Sequence, residues 1–547
     1  MITHVRIQNL RSLVDTGFIE IKPLTILLGS NSSGKSTFLR SFPLLTQSVT
    51  KSLREPISWF DESYVDFGDY DTAKSKFVDN NDGIIFSYKI SKPLSKRTSL
   101  YVSINDEVNP YIIIPGSTIN ISFVKDNKGM FVNKVTLMNG NLNVELFIAD
   151  RDSSVIMTVN GARVMEELNL RWSYGSRRKL IPEFENDNIY DEMPNLMDSK
   201  FDNYANSVLR KYCSKNLKNN VRLWEIISNW TSNKQCFLKI LQKTKLTMLS
   251  KYANAWDVET KEFNEIYDTL ALFYTIKSLD AIDDEIRTMY YNCSYITPMR
   301  APANRYYRTQ GFQVRDVDSN GKNLQEFISS LSGKREKSYR NFTEKVLGLQ
   351  IMVKNNAGHQ QIILKSKYGE NNMADVGFGY SQIIPIITKL WYSNYQLKNE
   401  VQGRFYWRNF FSNIMLIEQP ELHLHPEMQA RAIDIMMLVL KDNKENNENL
   451  KRIYRERERK EENIIPQCFA SLIIETHSQS IINRIGRRIR NKQFSPDDVS
   501  ILLFDKRKET GITEIKEIKF NEKGQLMNWP IGFFEPKEEE YDILFNK

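Results

Sequence analysis

The stretch from Gly29 to Thr37 reads GSNSSGKST and fits the pattern G-x-x-x-x-G-K-[ST] of a phosphate-binding loop. Its glycines let successive backbone N–H groups turn inward around phosphate oxygens, because no Cβ is in the way. We predict that Lys35 places a positive charge at the β and γ phosphates and that the Ser36 hydroxyl coordinates Mg²⁺. The predicted nucleotide-binding residues of this loop are Asn31, Ser32, Ser33, Gly34, Lys35, Ser36 and Thr37.

The sequence on either side of this loop has the strand–loop–helix order that the motif requires. Leu24 to Leu28 (LTILL) is a short apolar run that predicts a buried parallel strand, and the residues from Ser36 predict a helix that Pro43 interrupts. Residues 84–160 contain short alternating runs separated by glycine turns, which predicts antiparallel hairpins. Apolar residues then recur at three- and four-residue spacing, which predicts helices in the segments 203–218, 221–230 and 235–252.

Composition excludes several classes of protein. The chain has 547 residues, 41% hydrophobic and 26% charged, so it can bury a sizeable core. Lys plus Arg (75) exceed Asp plus Glu (67), and the resulting charge of +8 permits a nucleic-acid partner without requiring one. The four cysteines are too widely spaced to indicate a zinc site or a disulfide framework. No signal peptide or membrane-spanning run is evident, so we expect a cytoplasmic protein.

A second motif is IMLIEQPELHLHP, Ile414 to Pro426, which predicts a buried strand ending at Glu418. A carboxylate at the C-terminal edge of such a strand, beside the phosphate-binding loop, suits Mg²⁺ coordination together with Ser36. His423 and His425 could suggest a metal pair, but no third ligand is evident in the sequence.

A third motif is LIIETHSQSIINRI, Leu472 to Ile485, in which another apolar run is followed by His477. A lone histidine is usually structural, but three of the five histidines fall in these two segments, which favours phosphate sensing by His477. A fourth stretch, ADVGFGYSQIIPII (Ala374 to Ile387), is a glycine-rich turn before an apolar helix and is weak evidence by itself.

Together these motifs resemble the ABC-type ATPases of the SMC/RecF/OLD class, with Walker A first, then a glycine-serine signature, Walker B and a switch histidine. QNLRS (8–12) resembles their N-[FL]-R-S element, which makes Arg11 a candidate nucleotide contact. VDFGDY (65–70), ITPMRAPANRYY (296–307) and GQLMNWPIGFFE (524–535) resemble the RecF-like ATPases of bacterial defence loci, most closely the PtuA family of Septu-type and retron-associated anti-phage systems. Residues 165–295 contribute nothing to this resemblance.

The resemblance implies the α/β class: an ABC-type (RecF/SMC-like) P-loop ATPase with an antiparallel β subdomain and a helical insertion. We expect an N-terminal ATPase lobe with Walker A and the antiparallel β subdomain (1–165), a helical insertion (166–295) and a C-terminal ATPase lobe (296–547). The last contains the signature, Walker B, the switch histidine and a charged insertion, 441–463, whose mixed-sign charge predicts a solvated helix or loop.

The resemblance also implies a head-to-tail dimer or larger oligomer that sandwiches ATP. In it the signature residues Gly377, Gly379 and Ser381 would meet the nucleotide of another subunit. The Q-loop glutamine of such proteins is not identified, and Gln47 is expected to be a surface helix residue instead.

One position departs from the family pattern. In the usual D-E-P sequence the first acid holds Mg²⁺ and the second polarises the attacking water, whereas here these positions are Glu418 and Gln419. A neutral amide cannot accept the proton of the water. Either Glu421 or His477 therefore acts as the base, or hydrolysis is slow and the ATP-bound state is the functional one.

The function implied is an ATP-dependent switch that controls a separate effector. By resemblance the partners are an HNH nuclease of the PtuB kind and, in retrons, a reverse transcriptase with its multicopy DNA/RNA. The partner is expected to dock on the 441–463 stretch or the helical insertion. The alternative is a RecF-like DNA repair clamp. An OLD-type nuclease would need a further domain after His477, and a transporter ATPase would need a matching LSGGQ.

Direct DNA contact is left open by the segment 207–251, in which many lysines and arginines alternate with aromatic residues. Such a pattern is typical of surfaces that follow a phosphate backbone and stack bases. At helical spacing, however, aromatic residues more often belong to a core. The four aromatic residues concerned are Tyr212, Trp224, Trp230 and Tyr252.

Overall fold

The computed structural model describes the residues 2–51, 53–79, 82–90, 116–168, 170–173, 179–184, 196–214, 217, 221–308, 314, 316–356, 358–402, 410–457 and 467–529. They form two compact units. The first unit contains the residues up to 20, then 44–60 and 67–291, and the second contains 21–43, 61–66 and the described residues from 292 onward.

The strands, in chain order, are β1 (Ile2–Leu10), β2 (Leu13–Asp15), β3 (Ile19–Glu20), β4 (Leu24–Gly29), β5 (Ile84–Ile90), β6 (Ser117–Asp126), β7 (Gly129–Asn139), β8 (Leu142–Phe147), β9 (Ile156–Val159), β10 (Ala162–Arg163), β11 (Trp172–Ser173), β12 (Glu183–Phe184), β13 (Cys293–Ile296), β14 (Tyr307–Arg308), β15 (Gln350–Asn356), β16 (His359–Ser366), β17 (Gly369–Asn372), β18 (Phe410–Glu418), β19 (Gln467–Glu475), β20 (Val499–Lys506) and β21 (Thr513–Ile518). The α-helices are α1 (Lys35–Thr50), α2 (Tyr70–Ala73), α3 (Leu196–Arg210), α4 (Val221–Ser228), α5 (Lys234–Gln242), α6 (Thr247–Ala253), α7 (Lys261–Tyr291), α8 (Leu324–Ser330), α9 (Lys334–Leu347), α10 (Phe378–Gln402), α11 (Pro426–Arg457) and α12 (Gln479–Arg490).

The first unit combines an antiparallel sheet with helices. The sheet has the order β10-β9-β8-β7-β6-β5-β1-β2, and β3 also pairs with β1. The described strands between residues 84 and 160 are thus the predicted hairpins, while the runs at 99–104 and 111–115 lie outside the described residues. The predicted helix over 235–252 is divided into α5 and α6, and the 31-residue α7 follows them.

The second unit is built on a six-stranded sheet with the order β13-β18-β19-β4-β20-β21. The first five strands are parallel and β21 is antiparallel to β20. Because the carboxyl ends of parallel strands meet at one edge, this edge brings the ends of β18, β19 and β4 together. A P-loop on a parallel sheet, together with the antiparallel and helical parts of the first unit, confirms the α/β class.

The two units differ from the predicted division into lobes. Residues 21–43, which contain Walker A, group with the residues from 292 onward and not with the antiparallel sheet. The helical segment and the antiparallel sheet belong to one unit. Strand β4 causes the difference, since it pairs with β19 and β20, both more than 440 residues further along the chain.

Helix α1 corrects two expectations. It continues through Pro43 to Thr50, although a proline inside a helix costs about 3 kcal/mol. Leu44, Leu45 and Val49 beyond it are buried, and each such side chain contributes about 1.5–3 kcal/mol, which outweighs that cost. Gln47 is not a surface residue: it is fully buried, and its Nε2 donates to the Ser58 carbonyl at 2.6 Å.

The charged stretch 441–463 is helical as far as the structure describes it, because α11 continues to Arg457. Lys444 of this helix pairs with Asp498 at 2.7 Å. Residues 458–463 lie outside the described residues. Docking of a partner on this stretch stays a prediction.

Two glycine backbones of the second unit approach each other closely. A Cβ added to Gly486 of α12 would lie 2.4 Å from the carbonyl oxygen of Gly524, which opens the GQLMNW stretch at a φ of +71°. Because the obstacle is backbone, the added atom can be accommodated only if the turn moves away from the helix.

We therefore expect Gly486→Ala to destabilise the protein by about 1–3 kcal/mol, the usual cost of overpacking. The measurement is thermal unfolding followed by circular dichroism. Asn483→Ala, on the exposed side of the same helix, is the matched control and should melt like the wild type. A Gly486→Ala protein as stable as this control would show that the turn at Gly524 can move away without loss of stability.

Candidate nucleotide-binding site

The predicted phosphate-binding loop connects the central strand β4 to α1, at the side of the sheet where the carboxyl ends of the parallel strands meet. Gly29 has a φ of +151°, and a Cβ there would lie 2.3 Å from the Phe504 carbonyl oxygen, so only glycine fits. Thr513 Oγ1 donates to the Ser33 carbonyl at 2.9 Å and fixes the loop from β21. The Ser33 Oγ is buried and has no hydrogen-bond partner within the described part of the chain.

The remaining residues of the loop have the backbone that its tight turn requires. Ser32 and Gly34 adopt positive φ values of 61° and 95°. Asn31 and Ser32 are exposed, whereas Thr37 is half-buried on the first turn of α1.

Lys35 lies inside the loop with only 3% of its side chain exposed. Its ammonium donates to the carbonyl oxygens of Gly29 at 3.0 Å and Ser30 at 2.6 Å. Burial lowers the pKa of Lys35, and the nearby Glu475 carboxylate opposes this shift. The ammonium thus donates to carbonyl oxygens of the loop and can exchange them for phosphate oxygens.

Glu475, at the end of β19, is the carboxylate nearest the loop, and the sequence motifs did not identify it. Its Oε1 and Oε2 lie 3.0 and 2.8 Å from the Ser36 Oγ, and its Oε1 lies 4.0 Å from the Lys35 Nζ. Burial, followed by the charge of Glu418, raises the pKa of Glu475. Its position could have indicated a role, because Glu475 directly follows the apolar run LII and lies two residues before His477.

Glu418 lies at the same edge but one strand further from the loop, because β19 lies between β18 and β4. Arg40 of α1 binds it through Nε and Nη2, both at 2.7 Å, and the Tyr295 hydroxyl donates to its Oε1 at 2.7 Å. The bond to Glu418 raises the pKa of Arg40, and burial raises that of Tyr295. Neither Arg40 nor Tyr295 was singled out from the sequence.

Gln419 begins the turn after β18 with a φ of +42°. Its backbone N–H donates to the Glu475 carbonyl at 2.8 Å. The Arg300 Nη2 donates to the carbonyls of Glu418 at 2.8 Å and Gln419 at 3.3 Å. The turn is therefore held from both sides.

Arg300 belongs to the ITPMRAPANRYY stretch, and no role was predicted for it. It is 5% exposed, and burial lowers its pKa to about 10. Its Nε and Nη1 are buried without a hydrogen-bond partner among the described residues. This arginine therefore anchors the turn after β18 through backbone carbonyls.

Glu421 and His477 are the two candidate bases, and the structure connects them. The Glu421 carboxylate accepts hydrogen bonds from the Thr476 Oγ1 at 2.8 Å and from the His477 backbone N–H at 2.7 Å. Burial raises the pKa of Glu421. The His477 side chain is exposed, and partial burial, followed by the Lys35 charge, lowers its pKa. His477 is consequently neutral near pH 7.

The other two histidines of this region, His423 and His425, each contact a nearby residue. His423 packs edge-on against Phe378 at 5.0 Å, and the His425 Nδ1 accepts a hydrogen bond from the Glu427 N–H at 3.4 Å. The described residues contain no group of three or more histidine, cysteine or acidic side chains that could hold a metal ion.

The glycine-serine turn lies at the N-terminal end of α10. Gly377 is exposed and half of the Phe378 side chain is exposed, whereas Gly379 is half-buried. Ser381 is 2% exposed, and its hydroxyl donates to the Phe378 carbonyl at 2.6 Å. A contact of Gly377, Gly379 or Ser381 with the nucleotide of another subunit stays a prediction.

Arg11 lies in the first unit, between β1 and β2. Its guanidinium lies over the Phe67 ring, 4.3 Å from the centroid, and its backbone N–H donates to the Ala73 carbonyl at 2.8 Å. The QNLRS and VDFGDY stretches thus meet at this arginine. A contact between Arg11 and nucleotide stays a prediction.

The aromatic residues of 207–251 are largely packed. Trp230 is buried and stacks on Tyr274 at 5.1 Å, and Trp224 contacts Phe273 at 6.3 Å. Tyr212 packs against both Tyr252 and Trp256; of the four aromatic residues, only Tyr252 is exposed. Direct DNA contact by this segment stays a prediction.

The residues at this site fit a nucleoside triphosphate with Mg²⁺. The Lys35 ammonium and the unpartnered Ser33 hydroxyl are suited to phosphate oxygens. The Ser36 hydroxyl and the Glu475 carboxylate are the hard oxygen ligands that Mg²⁺ prefers.

Comparison with known families gives two matches. The model of the AAA ATPase domain family matches residues 1–482, and that of a family described as a protein of unknown function (DUF3696) matches residues 494–544. No curated protein matches the chain significantly. The described residues contain no helix that is both long and apolar enough to cross a membrane.

Solved structures similar to this chain include three SMC head domains. One is bound to the C-winged helix domain of ScpA (9% identity, 95% of this chain and 97% of that chain covered, TM-score 0.31). Another has an extended coiled coil and is bound to the C-terminal domain of ScpA derived from Pyrococcus furiosus (10%, 95% and 96%, 0.30), and the third is from Thermotoga maritima (8%, 94% and 98%, 0.30).

Proposed function

Because the chain belongs to the AAA ATPase domain family, we propose that it is the ATP-binding and ATP-hydrolysing switch subunit of a bacterial anti-phage defence complex, where it controls a separate effector nuclease. The observation that carries the ATPase part is the meeting of Lys35, Ser36, Glu475 and Glu418 at one sheet edge. The PtuA-like sequence stretches support the defence role.

The residues of the loop bind and orient the nucleotide. Lys35 transfers its hydrogen bonds from the Gly29 and Ser30 carbonyls to the β and γ phosphates, which retains its charge at the reacting phosphoryl group. The Ser36 hydroxyl, with a carboxylate at the same sheet edge, would hold the Mg²⁺, and the cation would neutralise phosphate charge.

Hydrolysis is slow in this proposal. Gln419 cannot take a proton from water, and the buried Glu421 carboxylate holds the Thr476 hydroxyl and the His477 backbone N–H. In this proposal the exposed His477, just after β19, senses phosphate and does not act as the base. A long-lived ATP-bound state can then stabilise one assembly, because ATP binds that assembly more tightly than the alternative one.

The proposed assembly is a head-to-tail dimer or larger oligomer. The exposed Gly377 and Phe378, at the N-terminus of the 25-residue α10, present backbone N–H groups and a helix dipole to an anion. This end is suited to the nucleotide of a second subunit, with Gly379 allowing close approach.

The proposed effector is an HNH nuclease of the PtuB kind, joined in a retron by reverse transcriptase and its multicopy DNA/RNA. In this division of labour the effector cuts nucleic acid, and this chain binds and hydrolyses ATP. The alternative, a RecF-like repair clamp, needs the same ATP site but binds DNA itself.

The test combines the purified chain, plasmid DNA, Mg²⁺ and ATP, with and without the HNH partner. We expect no cleavage by the chain alone and ATP-dependent control of cleavage when the partner is added. Cleavage by the chain alone that survives Lys35→Ala would overturn the proposed division of labour. Tight DNA binding by the chain alone, with a steep dependence on salt, would favour the clamp.

A further inference from the structure

Glu475 is the carboxylate that the fold places between the Walker B strand and the phosphate-binding loop. It is the last residue of β19, where it pairs with Glu418 of β18 on one side and with Leu27 of β4 on the other. Both of its oxygens lie within 3.0 Å of the single Ser36 hydroxyl. A hydroxyl has one proton, so it satisfies only one of the two acceptors at a time.

Glu418 has a different set of partners. A bidentate guanidinium, that of Arg40, and the Tyr295 hydroxyl donate three hydrogen bonds of 2.7 Å to it. Bidentate pairs of this kind are strong and fix orientation. For Glu418 to become a direct ligand of a cation near Ser36, it would have to release at least part of this set.

The charge near Glu475 is less completely balanced. Its nearest described cation is Lys35, whose Nζ is 4.0 Å away and donates its short hydrogen bonds to Gly29 and Ser30. Glu418, in register on the adjacent strand, adds a second negative charge. A divalent cation beside Ser36 would relieve this repulsion.

We infer that Glu475, and not Glu418, is the carboxylate that holds the nucleotide-bound Mg²⁺ together with Ser36. Glu418 instead orients the first turns of α1 through Arg40 and so acts as a positioning residue. This inference rests on the proposed function, since it presupposes that the loop binds ATP with Mg²⁺.

The test compares the isosteric variants Glu475→Gln and Glu418→Gln with the wild type. Affinity for a fluorescent ATP analogue is measured in Mg²⁺ and in EDTA, and binding of Mn²⁺ in the presence of ATP is measured by electron paramagnetic resonance. We expect Glu475→Gln to weaken Mn²⁺ binding about 10- to 100-fold, the usual effect of losing a metal-supporting group, while affinity in EDTA is unchanged. Glu418→Gln should weaken Mn²⁺ binding less.

Mn²⁺ binding that is lost in Glu418→Gln and kept in Glu475→Gln would overturn the inference. Thermal unfolding checks that each variant is folded. If Glu475→Gln does not fold, Glu475→Asp, which keeps the charge on a shorter side chain, must weaken Mn²⁺ binding, and unchanged binding there also overturns the inference. A wild type that binds no ATP in either Mg²⁺ or EDTA would instead remove the proposed function.

Discussion

Replacing Lys35 by alanine is expected to abolish ATP binding and, with it, any protection that the complex gives against phage. The side chain contributes the ammonium charge inside the loop, which attracts the phosphates. Losing one preorganised donor of this kind usually lowers the rate of the catalysed reaction by about 10²–10³-fold, so ATP turnover should fall as well. Its present partners are the Gly29 and Ser30 carbonyls, which water can reach once the side chain is removed, so the fold should persist.

The measurements for Lys35→Ala are ATP titration by calorimetry, steady-state hydrolysis and a phage challenge. Lys322→Ala, which changes an exposed lysine of the same unit, is the matched control and should behave like the wild type. A folded Lys35→Ala protein that binds ATP as tightly as this control would show that the loop does not serve a nucleotide.

Changing Gln419 to glutamate is expected to raise ATP turnover by about 10²–10⁴-fold, the usual contribution of a general base. The new carboxylate should occupy the place of the amide, because the backbone of this residue is held by Glu475 and Arg300. In the proposed complex, faster hydrolysis would shorten the lifetime of the ATP-bound assembly. Control of the effector nuclease should then be weaker. Steady-state hydrolysis, beside a sizing measurement of the ATP-bound assembly, checks both effects.

Glu421→Gln is the comparison variant for this experiment. It alters the acceptor of the Thr476 and His477 hydrogen bonds, and thermal unfolding shows whether the change is merely structural. If Gln419→Glu leaves turnover unchanged and a normally folded Glu421→Gln abolishes it, Glu421 is the base and slow switching is wrong.

Local sequence was sufficient for the elements whose chemistry lies in adjacent residues. The strand at Leu24, the loop and the start of α1 follow from one motif, because glycine freedom, the lysine and the hydroxyl must be contiguous to surround a phosphate. Two buried strands, ending at Glu418 and just before His477, could be predicted from their apolar runs.

Local sequence failed where distant packing outweighs local preference. Pro43 predicts a break, but the buried residues after it keep α1 continuous, and the same burial takes Gln47 away from solvent. Neither outcome is encoded in a window of a few residues.

The motifs predict a phosphate-binding loop and two buried strands, one ending at Glu418 and the other just before His477. Which carboxylate contacts the loop depends on the order of the strands in the folded sheet. Ser36 and Glu475 are 439 residues apart, and they touch because β19 lies between β4 and β18. Strand order depends on the packing of the whole sheet, whereas a motif records only neighbours along the chain, so Glu475 could be recognised only once the strands were placed side by side.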